Sequence, residues 1–170
     1  KRFELIVFDW DGTLMDSTGA IVASIQAAAI DLGLEPPSDE RASHIIGLGL
    51  IDALRHALPD LPQERYVDVA ERYRHHYLSR DHDLLLFDGA ADLIDELTRA
   101  GHHLAIATGK TRKGLDRAFA ASGLGPRFQA SRCADECHSK PHPQMLAELM
   151  EQFGVEPRAT LMIGDTTHDL

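Results

Sequence analysis

The chain has 170 residues, of which 44% are hydrophobic and 26% charged. This balance predicts a folded globular protein with one sizeable core and excludes an intrinsically disordered chain. Lysine and arginine number 17 against 27 aspartate and glutamate residues, which gives a net charge of -10 with histidine neutral. Such an acidic balance disfavours a nucleic-acid partner, whose phosphates require a basic surface.

The sequence also disfavours a membrane or secreted protein. No apolar run approaches the roughly 18 residues of a membrane span, and the first residues show no signal-peptide pattern. Cys133 and Cys137 are the only cysteines, which is too few for a closed zinc site and typical of reduced thiols. We therefore expect a cytoplasmic protein with no membrane partner.

The first predicted element is a buried strand, Leu5–Phe8, which is followed at once by the polar run Asp9–Leu14. The carboxylates of Asp9 and Asp11 repel each other in a partly buried site unless a proton or a cation lies between them. Mg²⁺ is the divalent ion that such oxygen ligands favour. A simple Asp11-Gly12 turn explains the same residues, and this stretch alone leaves both interpretations open.

A run of helices without strands is predicted next. The four helices extend from the Asp16–Thr18 caps to Gly33, from Ser38 to about Gly47, from Leu50 to Pro59, and from Pro62 through Tyr77. Capping residues, glycines and prolines mark their ends, and apolar residues recur at helical spacing within them. The block 17–82 is therefore predicted to be a separate helical unit.

Strands and helices alternate in the rest of the chain. Helices are predicted at about 89–100, Thr111–Ser122 and about 143–153, and strands at His103–Ala107, weakly at Phe128–Ala130, and at Thr160–Ile163. Alternating elements of this kind form right-handed βαβ units with a parallel sheet. We expect an α/β core made of residues 1–16 and 83–170, with 17–82 inserted as a cap over the carboxyl ends of the strands.

Polar residues also follow the other predicted strands. Thr108-Gly109-Lys110 supplies a hydroxyl and an amide that suit an anion, and Gly164–Asp169 supplies a second acidic pair. Lys140 lies between them in the chain, just before a predicted helix. A cation, two acidic pairs and an anion pocket on one rim indicate metal-assisted phosphoryl transfer.

These residues resemble the motifs of the haloacid dehalogenase superfamily, in the subgroup with a helical cap (C1 type, subfamily IA). Asp9–Leu14 matches the first motif, Thr108 the second, Lys140 the third, and Gly164-Asp165 with Asp169 the fourth. The chain is most similar to phosphoglycolate phosphatase-like members. The resemblance implies a three-layer Rossmann-like core, which in the family continues for one more strand and helix, so we expect these to be missing.

The resemblance also implies a role for each motif residue. Asp9 becomes the nucleophile, Asp11 the general acid and then the base, and Lys140 the cation that neutralises the phosphoryl group. Mg²⁺ is expected on Asp9, the backbone carbonyl of Asp11, and Asp165. Asp169 either holds the water shell of the metal or orients Lys140.

The phosphoryl oxygens are expected to lie against two backbone turns. By resemblance, Thr108 and Gly109 bind them from the second motif, and Gly12 and Thr13 from the first. Lys110 and Arg112 are near enough along the chain to touch a leaving group. Cations that begin a helix are more often solvated, however, and we predict that both side chains are solvated. Gly47-Leu48-Gly49 either lines the pocket or serves as a hinge between helices.

The substrate class implied is a small phosphorylated metabolite, such as phosphoglycolate, with magnesium as cofactor. A sugar phosphomutase, a pyrophosphatase or a nucleotidase of the same family remains open. A receiver-type signalling domain also combines an acidic cluster with Mg²⁺, but an insertion of over sixty residues does not fit it. A catalytically silent binding protein is disfavoured because every motif residue is intact.

Overall fold

The computed structural model describes residues 2–169. Its strands are β1 (Leu5–Phe8), β2 (His103–Thr108), β3 (Ala130–Cys133) and β4 (Thr160–Ile163). Its α-helices are α1 (Thr18–Asp31), α2 (Asp39–His44), α3 (Leu50–Ala57), α4 (Tyr66–Leu78), α5 (Ala90–Arg99), α6 (Arg112–Ser122) and α7 (Gln144–Phe153). Short 3-10 turns cover Gln63–Arg65, Asp81–Asp83, Gly125–Arg127, Pro157–Ala159 and Thr167–Asp169.

The strands form one parallel sheet in the order β3-β2-β1-β4. In the register, Phe8 lies opposite Ile106 of β2 on one side and Ile163 of β4 on the other. The residues that follow these three strands therefore meet at one edge of the sheet. Ligands bind at this edge in open α/β sheets.

Both faces of the sheet are covered by helices, as a parallel sheet requires. Ile6 and Phe8 face the cluster that contains Ile94 of α5 and Leu115 of α6, whereas Val7 faces Leu149 of α7. The alternation arises because successive side chains of a strand point to opposite faces. The predicted three-layer α/β core is confirmed.

Helices α1 to α4 form a third hydrophobic cluster, distinct from the two clusters of the sheet. Ile25, Leu54 and Val69 are almost fully buried in it. Its helices lie within the block 17–82 that the sequence predicts as a cap. No helix among residues 2–169 combines the length and the apolarity needed to cross a membrane.

Two local details differ from the prediction. The third strand is predicted around Phe128–Ala130, whereas β3 covers Ala130–Cys133; the Phe128 ring packs edge-on against Phe8 and stacks on Phe119. Ser17, one of the three predicted cap residues, is the N-cap of α1, but its hydroxyl makes no hydrogen bond to the helix and donates to Asp11 Oδ1 at 2.8 Å.

Candidate active site

Asp9 is the first residue after β1 and is completely buried. Its Oδ1 accepts a hydrogen bond from the Trp10 amide at 2.7 Å and lies 3.0 Å from Lys140 Nζ. Its Oδ2 is buried and has no hydrogen-bond partner among residues 2–169. Burial, only partly offset by Lys140, raises the pKa of the Asp9 carboxyl from 3.8 to about 7, so this oxygen is prepared for a ligand that supplies positive charge or an electrophilic centre.

Lys140 joins the two acidic motifs. Its ammonium donates to Asp169 Oδ1 at 2.6 Å and to the Ala107 carbonyl at 3.3 Å, in addition to its contact with Asp9. Burial alone would lower the pKa of Lys140, but the carboxylates of Asp9 and Asp169 raise it. The side chain therefore stays charged in a nearly dry environment, where its field acts with little screening.

Asp9, Asp165 and Asp169 bring carboxylate oxygens within 4.8 Å of one another. Thr13 Oγ1 donates to Asp165 Oδ1 at 2.9 Å, which fixes the orientation of this exposed carboxylate. The donor set is made only of carboxylate oxygens, and one of the two Asp9 oxygens, Oδ2, has no hydrogen-bond partner among residues 2–169. Both properties fit a hard divalent cation such as Mg²⁺.

Gly12 allows this cluster to form. It has φ +79°, and a Cβ at this position would lie 2.3 Å from Asp165 Oδ2. Any other residue would therefore clash with Asp165 and strain the backbone.

The structure brings Asp169 against Lys140, one of the two arrangements that the sequence leaves open. The second carboxylate oxygen, Oδ2, accepts hydrogen bonds from the Thr166 amide and hydroxyl, each at 3.2 Å. Asp169 is thus fixed at both oxygens and holds Lys140 towards Asp9. It is also a member of the acidic cluster, so the geometry is compatible with both expected roles.

The Asp11 carboxylate lies outside that cluster. It accepts from Ser17 at 2.8 Å, and its Oδ2 lies 3.0 Å from Lys110 Nζ. The two aspartates of the first motif therefore have different environments: Asp9 faces Lys140 and the acidic cluster, and Asp11 faces the cap side. This difference is consistent with separate roles for two carboxylates that look equivalent in the sequence.

The prediction that Lys110 is solvated is wrong. Only 11% of its side chain is exposed, and the ammonium donates to the Tyr77 hydroxyl at 3.0 Å and lies 4.9 Å from the centre of that ring. Burial would lower the pKa of Lys110, but Asp11 and the tyrosines raise it. The cause is long-range packing, because Tyr77 comes from cap helix α4 and covers the lysine.

Arg112 lies away from the acidic cluster. Its guanidinium pairs with Glu136 at 2.8 Å and donates to the Ser131 hydroxyl, both on the core surface. The geometry therefore does not support a contact between Arg112 and a leaving group. Lys110, by contrast, lies next to Asp11.

The second motif lies directly beneath the segment 47–49. Thr108 is buried, and its hydroxyl accepts from the Lys110 amide at 3.2 Å. A Cβ on Gly109 would be 2.3 Å from the Leu48 carbonyl oxygen, and one on Gly47 would be 3.5 Å from Asp9 Oδ2. The Gly49 amide donates to Ser139 at 2.8 Å. Residues 47–49 thus cover the site, and the absence of a side chain at Gly109 permits the close approach of the Leu48 backbone.

The fold and this site define a class of enzyme: a hydrolase with a Rossmann-like α/β core, whose acidic cluster and buried lysine lie at the carboxyl ends of the sheet, beneath inserted helices. The family model described as haloacid dehalogenase-like hydrolase matches residues 6–170. The chain belongs to this family. Several of the relatives that align over nearly all of it are named phosphatases, and the chain is a phosphatase of this family.

Three comparisons illustrate the range of relatives. The "Probable phosphatase IndB" of Dickeya dadantii is 35% identical, with 98% of this chain and 74% of that protein aligned. The "Tyrosine-protein kinase PtkA" of Mycobacterium tuberculosis is 32% identical, with 98% of this chain but only 57% of that protein aligned. A crystal structure of a predicted phosphoglycolate phosphatase from Haemophilus somnus superposes with a TM-score of 0.87 at 25% identity, covering 99% of this chain and 80% of the other.

Proposed function

We propose that this protein is a Mg²⁺-dependent phosphatase that hydrolyses a small phosphate monoester through an aspartyl phosphate on Asp9. The observation that supports it best is the buried carboxylate of Asp9, whose Oδ2 has no hydrogen-bond partner among residues 2–169 and whose Oδ1 lies 3.0 Å from the charged Lys140 Nζ. A carboxylate that is desolvated and lacks a hydrogen bond at its reactive oxygen is an activated nucleophile. Its substrate is a small phosphorylated metabolite.

The reaction has two steps, phosphorylation of Asp9 and hydrolysis of the aspartyl phosphate. In the first, an Asp9 oxygen forms a bond to phosphorus while the ester P–O bond breaks, and Asp11 gives a proton to the departing alkoxide. In the second, Asp11 removes a proton from water, the water oxygen bonds to phosphorus, and the Asp9–phosphorus bond breaks. The products are an alcohol and inorganic phosphate, and Asp9 and Asp11 return to their initial states.

The surrounding residues stabilise charge in both steps. Lys140, held by Asp169 at 2.6 Å, neutralises the phosphoryl oxygens and the Asp9 carboxylate. Lys110, paired with Asp11 at 3.0 Å, stabilises the negative charge that Asp11 carries after it has given up its proton. Thr108 and the Gly109 amide are the proposed donors to the remaining phosphoryl oxygens.

Asp9, Asp165 and the Asp11 backbone carbonyl would hold Mg²⁺, with Asp169 near its water shell. When bound, the ion supplies positive charge that offsets the phosphoryl oxygens and the clustered carboxylates. The cluster of carboxylate oxygens from Asp9, Asp165 and Asp169 provides the support for this part of the proposal.

The test of the proposed function is phosphate release from a panel of monoesters with Mg²⁺, with and without excess chelator. We expect release that stops in chelator and returns when Mg²⁺ is restored. Pyrophosphate, a nucleotide, a sugar bisphosphate and a tyrosine peptide with ATP test the alternatives in the same assay. Transfer to the peptide or the sugar without free phosphate would contradict the proposal, as would a long-lived phosphoprotein.

The metal site can be tested without a substrate. With the pKa of Asp9 at about 7 in the fold and 3.8 as its ordinary value, the metal-free fold binds a proton at Asp9 that the unfolded chain does not. This carboxyl therefore destabilises the fold as pH rises from about 4 to 7. Mg²⁺ should raise the melting temperature more at pH 8 than at pH 6, because it competes with that proton. An equal shift at both values would contradict Asp9 as a ligand.

Asp11→Asn separates the two steps. The amide can neither give nor take the proton, so we expect turnover to fall by about 10²- to 10⁴-fold. An ester whose leaving group needs no proton, such as 4-nitrophenyl phosphate, should still phosphorylate Asp9 in a burst. Rapid-quench measurement of phosphoprotein and free phosphate checks this. Wild-type turnover, or loss of the burst together with turnover, would contradict the acid and base role of Asp11.

A further inference from the structure

A cavity of about 280 Å³ lies between the cap and the core, directly beside Asp11. On the core side it is lined by Asp11, Gly109 and Lys110, and on the cap side chiefly by apolar residues such as Ile21, Ile25 and Ile46. Gly47 lines it as well and also lies over Asp9 Oδ2. A group that leaves phosphorus at Asp9 and takes a proton from Asp11 therefore departs towards this cavity.

The size of the cavity does not suit a two-carbon acid. A volume of 280 Å³ is far larger than the roughly 10–15 Å³ that one water needs, so the cavity has room for many waters. Glycolate, the alcohol released from phosphoglycolate, has five non-hydrogen atoms and would leave much of this volume to water held against isoleucine side chains. A ring-sized leaving group displaces that water.

The walls indicate the chemistry of this group. Ile25 comes from helix α1, and Ile45 and Ile46 come from the segment that follows α2; all three line the cavity. Apolar walls bind an apolar body by releasing water, and a few polar groups then fix its orientation. The Tyr73 ring stacks on Tyr77 at 5.7 Å between centroids and extends the apolar surface towards Lys110.

The cationic side chains at this cavity do not reverse its preference for an apolar leaving group. Lys110 is already paired with Asp11 at 3.0 Å, and Arg117 lies 3.4 Å from Asp81. Arg74 and Lys113 are exposed at the surface, where solvent screens them. The buried part of the cavity therefore presents apolar surface and one neutralised ion pair, rather than a free charge for a second carboxylate.

We propose that the leaving group of the substrate is an apolar, ring-sized alcohol that fills this cavity. The inference rests on the proposed function. It states which part of the ester the cap recognises, namely the alcohol. Ile25, Ile46 and Ala53 are the specificity-determining residues, since they line the wall but lie outside the reacting motifs.

The test compares kcat/KM for benzyl phosphate with that for 2-phosphoglycolate, two alkyl esters with similarly poor leaving groups. We expect benzyl phosphate to be preferred by at least about 10-fold, since even one methylene in an apolar pocket gives about 10- to 200-fold. A ratio near one, or a preference for 2-phosphoglycolate, overturns the inference and leaves the proposed function intact. No hydrolysis of any ester in the panel overturns both.

Ala53→Leu narrows the cavity and should lower the benzyl to glycolate ratio by about 10-fold. The matched control is Ala57→Leu, one turn further along α3, which is equally buried in the cap but does not line the cavity. Because each ratio compares two substrates of one preparation, partial unfolding cancels. Equal changes of the ratio in both variants overturn the inference.

A binding measurement on the unaltered protein keeps the inference testable if the Ala53 variant does not fold. Calorimetric titration with benzylphosphonate and with phosphonoacetate in Mg²⁺ compares the two leaving groups without turnover. We expect benzylphosphonate to bind at least about 10-fold more tightly. Tighter binding of phosphonoacetate overturns the inference.

Discussion

Asp9→Asn is expected to reduce phosphate release to less than about one per cent of the wild-type rate, because an amide oxygen does not form the phosphoenzyme. The fold should persist. Lys140 keeps Asp169 at 2.6 Å as its partner, and the substitution removes a charge that burial disfavours, as the raised pKa of Asp9 shows. Above pH 7, in the absence of metal, the variant should be at least as stable as the wild type.

The measurement pairs steady-state phosphate release with thermal unfolding at pH 8 in chelator. Asp16→Asn serves as the matched control, since Asp16 is an exposed carboxylate of the same segment and its loss should leave both values unchanged. A variant that retains more than about one per cent of the wild-type rate would refute Asp9 as the nucleophile. A variant that unfolds would refute the argument that the charge of Asp9 destabilises the fold.

The position of Asp9 was predictable because its causes are local. Four apolar residues followed by two acids specify a buried strand and its polar end, and β1 has the predicted bounds Leu5–Phe8. Strand β4 is likewise found at Thr160–Ile163. Once the strands are parallel, their carboxyl ends must meet, so the proximity of Asp9, Lys140 and Asp169 follows from the order of the elements.

The residues that sequence reasoning missed depend on contacts between distant segments. The burial of Lys110 requires Tyr77, 33 residues earlier, and nothing near Lys110 in the chain signals that cover. Gly109 is predicted from the sequence as an anion-binding residue, but the approach of the Leu48 and Gly47 carbonyl oxygens, which excludes a side chain there, again depends on a distant segment.

Strand β3 shows a different limit. Its sequence Ala-Ser-Arg-Cys has no apolar alternation, and it lies at the edge of the sheet with β2 as its only neighbour among the described strands. An edge strand with polar residues is specified by the ladder beside it more than by its own pattern. Its register with Ala105–Thr108 was therefore not available from periodicity.

Lys140→Met is expected to remove activity and also to destabilise the fold. Methionine fills a similar volume but leaves the buried Asp9 and Asp169 carboxylates facing each other without a countercharge. Loss of one partner from a buried ion pair costs about 3–5 kcal/mol. Urea unfolding at pH 8 in chelator measures this, with Lys113→Met as a control, because that exposed lysine should contribute less than about 0.5 kcal/mol.

Two further results distinguish this electrostatic cause from simple loss of packing. The loss of stability should be smaller at pH 6. Protonation of Asp9, whose pKa is already raised to about 7, removes one of the two like charges that repel each other. The double variant Lys140→Met with Asp169→Asn should regain much of the stability at pH 8 for the same reason, yet remain inactive, because no cation then faces the phosphoryl group. A loss of stability that is independent of pH and unchanged in the double variant would mean that Lys140 acts mainly through packing. Recovery of phosphate release in the double variant would refute its role in neutralising the phosphoryl charge.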